Sequence, residues 1–339
     1  MNSPIILFMD ANHKQPKTLQ EAVVFYADPN NALAYMTLLR WPDGIVTCPT
    51  CGRNDVVFLH NQRKWQCKSV HPKRQFSAKA GTIFEDSPIA LDKWLVVVWM
   101  ISNCRNGVSS YEVGRAIGVT QKSAWFMLHR IRLGLQSKDG GKLGGPKGPV
   151  EIDETYIGGK ARNMHKSKRR RLSDGVGMQG GHGKTVVIGA LERGGRVKTR
   201  VIGDRKHPAV HAAVRDFVEA GSAIMTDEFT GYYDLKSEYQ HQFVNHLEKY
   251  VDGQVHTNGI ENFWSLLKRG LGGTYVAVEP FHLFRYVDEQ AFRFNNRKDD
   301  SGRKLDDAER FDIAMSQIIG KRLTYTELTG KTGEEQVPF

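Results

Sequence analysis

The sequence predicts a multidomain protein of mixed α+β and α/β class, and three observations predict it. A Cys-x-x-Cys pair, Cys48 and Cys51, is followed after 15 intervening residues by Cys67 and then by His71. Apolar residues recur at helical spacing through residues 84–136. Beyond a Gly-, Lys- and Pro-rich stretch at 137–149, short strand patterns are interleaved with amphipathic helices.

Composition narrows the classes. A chain of 339 residues with 40% hydrophobic content can build two or three domains with real cores. A net charge of +11 and a pI of about 9.4 call for an anionic partner, nucleic acid before an anionic membrane. No window reaches the ~18 uncharged apolar residues of a membrane span, and Trp94–Ile101 is too short. The N-terminus carries an apolar patch without a basic flank, a poor secretion signal. A cytosolic protein is expected, in which four cysteines serve as metal ligands or free thiols.

The N-terminal segment, 1–46, reads as a helical platform over Thr18–Leu39, split by Pro29. Residues 47–83 read as a zinc ribbon. Two thiols, a gap of hairpin length and two further soft or borderline ligands suit one tetrahedral structural Zn2+ held by Cys48, Cys51, Cys67 and His71. His60 is the alternative fourth ligand. Strands are expected at Val56–Leu59 and Lys64–Cys67. Residues 84–136 form a helical block, with helices at Leu91–Asn103, Ser110–Ile117 and Gln121–Leu133. Gly118 breaks the second and Thr120 caps the third, so the short turn between them has helix-turn-helix form. Gln121, Lys122, Arg130 and Arg132 are then candidate contacts to a DNA groove or backbone, against the alternative of an ordinary helical hairpin. Residues 137–149 read as a linker.

Residues 150–299 carry the candidate chemistry. Val150–Ile157 alternates as a strand and places Asp153 within it. The basic stretch that follows, with Lys168, Arg169, Arg170 and Arg171, predicts a loop that orders on a phosphate backbone. Strands at Thr185–Glu192 and Arg196–Ile202, a helix at His207–Ala220, and strands at Ala223–Thr226 and Gln242–Asn245 come next. Asp227 follows the fourth strand. Gln254–Gly270 then feeds a helix whose Ile260, Phe263, Trp264 and Leu267 form one apolar stripe, with Glu261 and Lys268 on a neighbouring face. This order is that of a ribonuclease-H-like fold, in which the first and fourth strands lie side by side. Asp153, Asp227 and Glu261 then converge, a hard-oxygen site for two Mg2+ or Mn2+ ions, with Lys268 beside a phosphate. Phe281–Asn296 is expected to pack behind that helix, with Arg293 and Arg297 towards DNA. In the C-terminal region, 300–339, Arg303–Gly320 reads as a further helix and the remainder as a frayed tail.

The motifs CPTCG with QCKSVH, QFSAKAGTIFEDS, EIDETYIGG, TDEFTGY, HTNGIENFWSLLKRG and FRFNNR, in this order, resemble the zinc-ribbon DDE transposases of bacterial insertion sequences, the ISXO-like family. The resemblance spans about residues 20–325. It implies a DNA transposase that binds the ends of its element and cleaves and joins strands by two-metal phosphoryl transfer. It implies Asp153, Asp227 and Glu261 as the metal-binding triad, with Lys268 as the basic residue seven positions on. Asn258 and Asn262 flank Glu261 as alternatives for the third ligand, while Glu154 points to the opposite face. The partners implied are double-stranded DNA and at least one further copy of the chain. Two rivals stand beside this reading: a DNA-binding regulator with an inert core, and another ribonuclease-H-like nuclease.

Overall fold

The computed structural model describes residues 15–136, 141–159, 184–203, 207–227, 235–244 and 256–330. They belong to two compact units, one of Met1–Ser137 with Asn296–Glu335 and one running over Lys138–Asn295.

In the first unit, α1 (Leu19–Ala27) is capped by the Thr18 side chain and α2 (Pro29–Arg40) by that of Asp28. Pro29 opens the second helix because its missing N–H falls where a helix has no partner for one. Strands β1 (Val56–Leu59), β2 (Lys64–Cys67) and β3 (Gln75–Phe76) form an antiparallel sheet in that order. Trp65 on β2 is buried against Phe76, the rings stacked at 6.0 Å. The helices α3 (Leu91–Asn103), α4 (Ser110–Ile117) and α5 (Gln121–Leu135) follow. Ser109 and Glu112 close a capping box on α4, and Gly118 ends it in the left-handed region at φ 66°.

In the second unit a five-stranded sheet has the order β6-β5-β4-β7-β8. β4 (Val150–Ile157), β5 (Thr185–Glu192) and β6 (Val197–Ile202) are antiparallel neighbours. After α6 (His207–Phe217), β7 (Ala223–Asp227) joins β4 in parallel and β8 (Gln240–Val244) joins β7 in parallel. One face of the sheet buries Val150, Ile152, Ile188 and Ile224 with Val210, Val214 and Phe217 of α6. The other buries Val187 and Leu191 beneath α7 (Asn258–Gly270) and α8 (Leu283–Asn295), with Ile260, Phe263, Trp264 and Leu267 facing inwards from α7. The stripe read from the sequence is therefore the buried face of α7.

The chain then returns to the first unit through α9 (Asp307–Ser316) and α10 (Tyr325–Leu328). Phe311 of α9 meets Trp99, Tyr35 and Tyr26, with ring centroids 5.0, 5.5 and 5.8 Å away. Two expectations are corrected here. The stretch after Gly320 is not frayed through residue 330. Leu323 and Leu328 are buried, Thr324 and Glu327 form a capping box, and Lys321 donates to the carbonyls of Gly134 and Gln136. Residues 141–149 are not an open linker, because Leu143 is fully buried and bridges to Val218. An apolar residue beside an apolar core buries itself despite glycine-rich flanks, and Leu143 belongs to the core of the second unit.

Candidate active site and metal centre

The sheet register brings the two aspartates together. Val150 pairs with Ile224 and Glu151 with Met225 in the parallel ladder of β4 and β7. The ladder runs from there towards Asp153 on β4 and Asp227, the last residue of β7, and the charge of Asp227 bears on the Asp153 carboxyl, although Asp227 is not among the residues that line the cleft beside Asp153. Alternation along β4 sends Glu151, Asp153 and Thr155 towards α7, away from the core that holds Val150 and Ile152. An open cleft of about 410 Å³ lies there, lined by Asp153, Glu154, Thr155, Glu261, Trp264, Ser265 and Lys268. Glu261 and Lys268 enter it from α7, seven residues apart and so nearly in line on the helix. Asn258 and Asn262 do not line it.

Asp153 is held from two sides. Its Oδ1 accepts the Glu154 N–H at 2.8 Å and its Oδ2 accepts the Trp264 indole N–H at 3.0 Å. The indole fits because its strand neighbour is glycine. Gly189 pairs with Asp153 across β4 and β5, and a Cβ there would stand 2.8 Å from the Trp264 ring. Burial above all, and then the charges of Asp227, Glu154 and Glu261, push the Asp153 carboxyl up to about 7. Glu261 is exposed, and its Oε1 accepts the Thr257 hydroxyl at 3.0 Å. Sequence reasoning treated Trp264 as core only and passed over Glu151, Gly189 and Thr257. Glu151 was within reach of the two-residue alternation of β4, two positions before Asp153; the roles of Gly189 and Thr257 depend on contacts that no local pattern carries.

The thiol cluster of the first unit is complete. The ligand atoms of Cys48, Cys51, Cys67 and His71 all lie within 4.8 Å of one another. Tetrahedral zinc, with bonds of ~2.3 Å to sulfur and ~2.0–2.1 Å to nitrogen, needs S···S spacings of ~3.8 Å and S···N spacings of ~3.6 Å. Cys51 Sγ is 3.7 Å from Cys67 Sγ, and Cys48 Sγ is 3.5 Å from His71 Nε2. His71 Nδ1 donates to the Pro72 carbonyl at 2.6 Å, which leaves Nε2 with the lone pair a metal takes. His71 holds the Cys67 thiol down to about 6, towards the thiolate that binds zinc. Gly52 turns the knuckle at φ 73°. His60 packs edge-on against Phe58 and takes no part in the cluster.

The candidate DNA contacts divide. Gln121 and Lys122 are exposed at the start of α5; Gln121 donates to the Ser110 hydroxyl, and Lys122 lies over the Tyr325 ring at 4.9 Å. Arg130 and Arg132 are not groove-facing, because α5 turns them inwards. Arg130 donates to the Glu85 carbonyl and sits over the rings of Trp94 and Phe126, and Arg132 is 1% exposed. Arg293 is likewise buried, paired with Glu289 and Gln290, while Arg297 is exposed. Lys168, Arg169, Arg170 and Arg171 lie outside the described residues. Among those described, no helix is long and apolar enough to cross a membrane.

Residues 145–295 match the ISXO2-like transposase domain, and residues 28–69 match the transposase zinc-ribbon domain. A transposase-like protein of Haemophilus influenzae is 31% identical over 102 residues, which is 30% of this chain and 82% of that protein. The chain belongs to the ISXO2-like transposases. A further relative of this ISXO2-like transposase is a protein in transposable element ISH50 of Halobacterium salinarum. It is 28% identical over 261 residues, covering 73% of this chain and 84% of the relative. The transposase-domain match begins before β4 and ends with α8, so it spans the cleft. The zinc-ribbon match covers α2 and the three clustered cysteines and stops two residues before His71.

Proposed function

We propose that this transposase has a ribonuclease-H-like catalytic core, binds the ends of its insertion sequence, and cleaves and joins DNA strands by divalent-metal-dependent phosphoryl transfer. The observation that carries the reading is the Asp153 carboxyl, raised to about 7 by burial and by the charges of Asp227, Glu154 and Glu261, in a cleft that Glu261 also lines. Crowded carboxylates of this kind are what a divalent cation relieves, and their hard oxygens suit Mg2+ or Mn2+. Asp153, Asp227 and Glu261 would hold the ions. Two such ions, when bound, neutralise charge at the phosphate and lower the pKa of the attacking water.

The chain's own groups do the rest. Trp264 and the Glu154 N–H fix the Asp153 carboxylate, and Thr257 steadies Glu261. Lys268, exposed in the cleft, takes a non-bridging phosphate oxygen. Water forms the new P–O bond, the P–O3′ bond breaks, and the strand end is left as a 3′ hydroxyl. That hydroxyl then attacks a phosphodiester of the target, forming a new P–O bond as the target's P–O3′ bond breaks and leaves a target 3′ hydroxyl, with the proton of the attacking hydroxyl passing to water. The α4–α5 pair reads as a DNA-binding helix-turn-helix through Gln121 and Lys122, and holding two element ends calls for at least a dimer.

The test is strand transfer with a labelled duplex carrying the element's terminal repeat, a target plasmid and Mg2+ or Mn2+, beside Asp227→Ala. Joined products from the wild type and none from the variant are expected. Binding without cleavage by the wild type would favour a regulator, cleavage without joining would favour a nuclease, and equal products from both proteins would place the active site elsewhere.

A further inference from the structure

Glu151 is 1% exposed, an acid buried in β4 two residues before Asp153 and on the same side of the sheet. Buried carboxylates need partners, and this one has three. Its Oε1 accepts the Arg193 Nε–H at 2.9 Å and lies 3.4 Å from His256 Nδ1. Its Oε2 accepts the backbone N–H of Ile260 at 2.9 Å. That N–H belongs to the first turn of α7, where a helix has donors without intrahelical acceptors. Thr257, the residue at the N-cap, makes no side-chain capping bond, so the cap is delivered by the neighbouring strand. Arg193 ties the same corner a second time by donating to the His256 carbonyl at 2.9 Å. The fit is close enough to demand glycine at 259: a Cβ there would stand 2.7 Å from Glu151 Oε2 and 2.8 Å from Leu191 Cδ2.

We infer that Glu151, held by Arg193, is a positioning residue for the third carboxylate, pinning the first turn of α7 to β4 so that Glu261 sits at the Asp153–Asp227 pair. The inference rests on the proposed reading of that trio as a two-ion site. Glu261 follows Ile260 directly, so the capped amide and the carboxylate share one turn. One strand thereby presents Asp153 to the site and, two residues earlier, anchors the helix that brings Glu261.

The experiment counts Mn2+ bound to the full-length protein by the EPR signal of free Mn2+, without DNA and without turnover. It compares wild type, Glu261→Gln, Glu151→Gln, the double variant, and Gly259→Ala. Wild type is expected to take up two ions. Glu261→Gln and Glu151→Gln should each weaken one of them by about tenfold or more, the range for residues that orient metal ligands. The double variant should bind no worse than Glu261→Gln alone, because Glu151 acts through Glu261. Gly259→Ala guards against a Glu151 variant that does not fold. The added methyl meets Glu151 Oε2 and Leu191 Cδ2, so some loss of stability is expected whatever the role, and each variant's melting curve is read beside its binding: a purely structural role predicts a less stable protein that still binds both ions while folded. The positioning role predicts loss of the same ion. Wild-type binding by Glu151→Gln or Gly259→Ala, beside a defective Glu261→Gln, overturns this inference alone, and so do multiplicative losses in the double variant. Two undiminished ions in Glu261→Gln overturn the reading of the site, and this inference with it.

Discussion

At Asp153 the sequence and its surroundings disagree, and the disagreement has a measurable sign. Its carboxyl is raised from 3.8 to about 7, first by burial and then by Asp227, Glu154 and Glu261. In the unfolded chain it ionises near its ordinary value. Between pH 4 and 7 the folded protein therefore holds a proton that the unfolded one has released, and stability falls as pH rises. The penalty is absent below pH 4 and complete above 7. Asp153→Asn, which carries no charge, should exceed the metal-free wild type in thermal stability by only about 1 kcal/mol near pH 4.5 and by roughly 2–4 kcal/mol at pH 8. Mn2+ should close the gap at pH 8 by stabilising only the wild type. Parallel melting curves for the two proteins from pH 4.5 to 8 would refute this account of the cleft. Asp153, Glu261 and Lys268 stood out in the sequence because strand and helix periodicity put them on defined faces, and Asp227 because it follows a short apolar strand, while the resemblance joined the three carboxylates into one set. The bond from Trp264 could not be foreseen, since it depends on the missing side chain at Gly189, reached only when β4 and β5 pair.

Elements with a clean period were legible to the residue: β1, β2, α3, α4, β4 and β5 all have the bounds that the sequence predicts. Those that depend on a distant partner were not. β3 is two residues long and exists through its pairing with β2, and α10 looked like tail because only four residues are helical. The ribbon's fourth ligand was open between His60 and His71 for a related reason, as spacing allows both and only the fold turns His71 inwards. The ribbon has a small core around Trp65, 2% exposed, with Phe76 and Trp41 against it. A sheet of three short strands does not hold such a core unaided, and a structural zinc site contributes on the order of 10 kcal/mol to folding. Cys67→Ser should abolish stoichiometric zinc, expose Trp65 and shift tryptophan emission to the red, and a strong chelator should do the same to the wild type. A zinc-free protein with unshifted emission and an unchanged melting curve would mean that the cluster is not what holds β1 to β3.

Taken as one chain, the protein spends some of its positive charge inside. Arg130, Arg132, Arg293 and Lys321 are buried, but so are Glu151, Glu154, Glu192 and Glu289, so among the described residues burial leaves the positive excess at the surface and changes only which residues carry it. The path of the chain was equally hidden. A linear reading assigned residues after 299 to a separate end, yet they complete the first unit: Tyr35 donates to Asp312 at 2.8 Å across 277 positions, and Asn103 donates to the Asp307 carbonyl at 3.1 Å. No local pattern reports a contact of that range. Phe311 is the test of it, being 1% exposed and ringed by Tyr26, Tyr35 and Trp99. Phe311→Ala removes a buried ring from between three aromatics and should destabilise the first unit by about 3–5 kcal/mol, since the surrounding rings cannot close fully on the space. Zinc release during denaturation reports on this unit, and Mn2+ uptake reports on the carboxylates of the other. The variant should lose zinc at a lower denaturant concentration and still bind Mn2+ as the wild type does. Zinc release at the wild-type concentration would show that the returning segment adds nothing to the N-terminal fold, and the linear division of the chain would then be the better one.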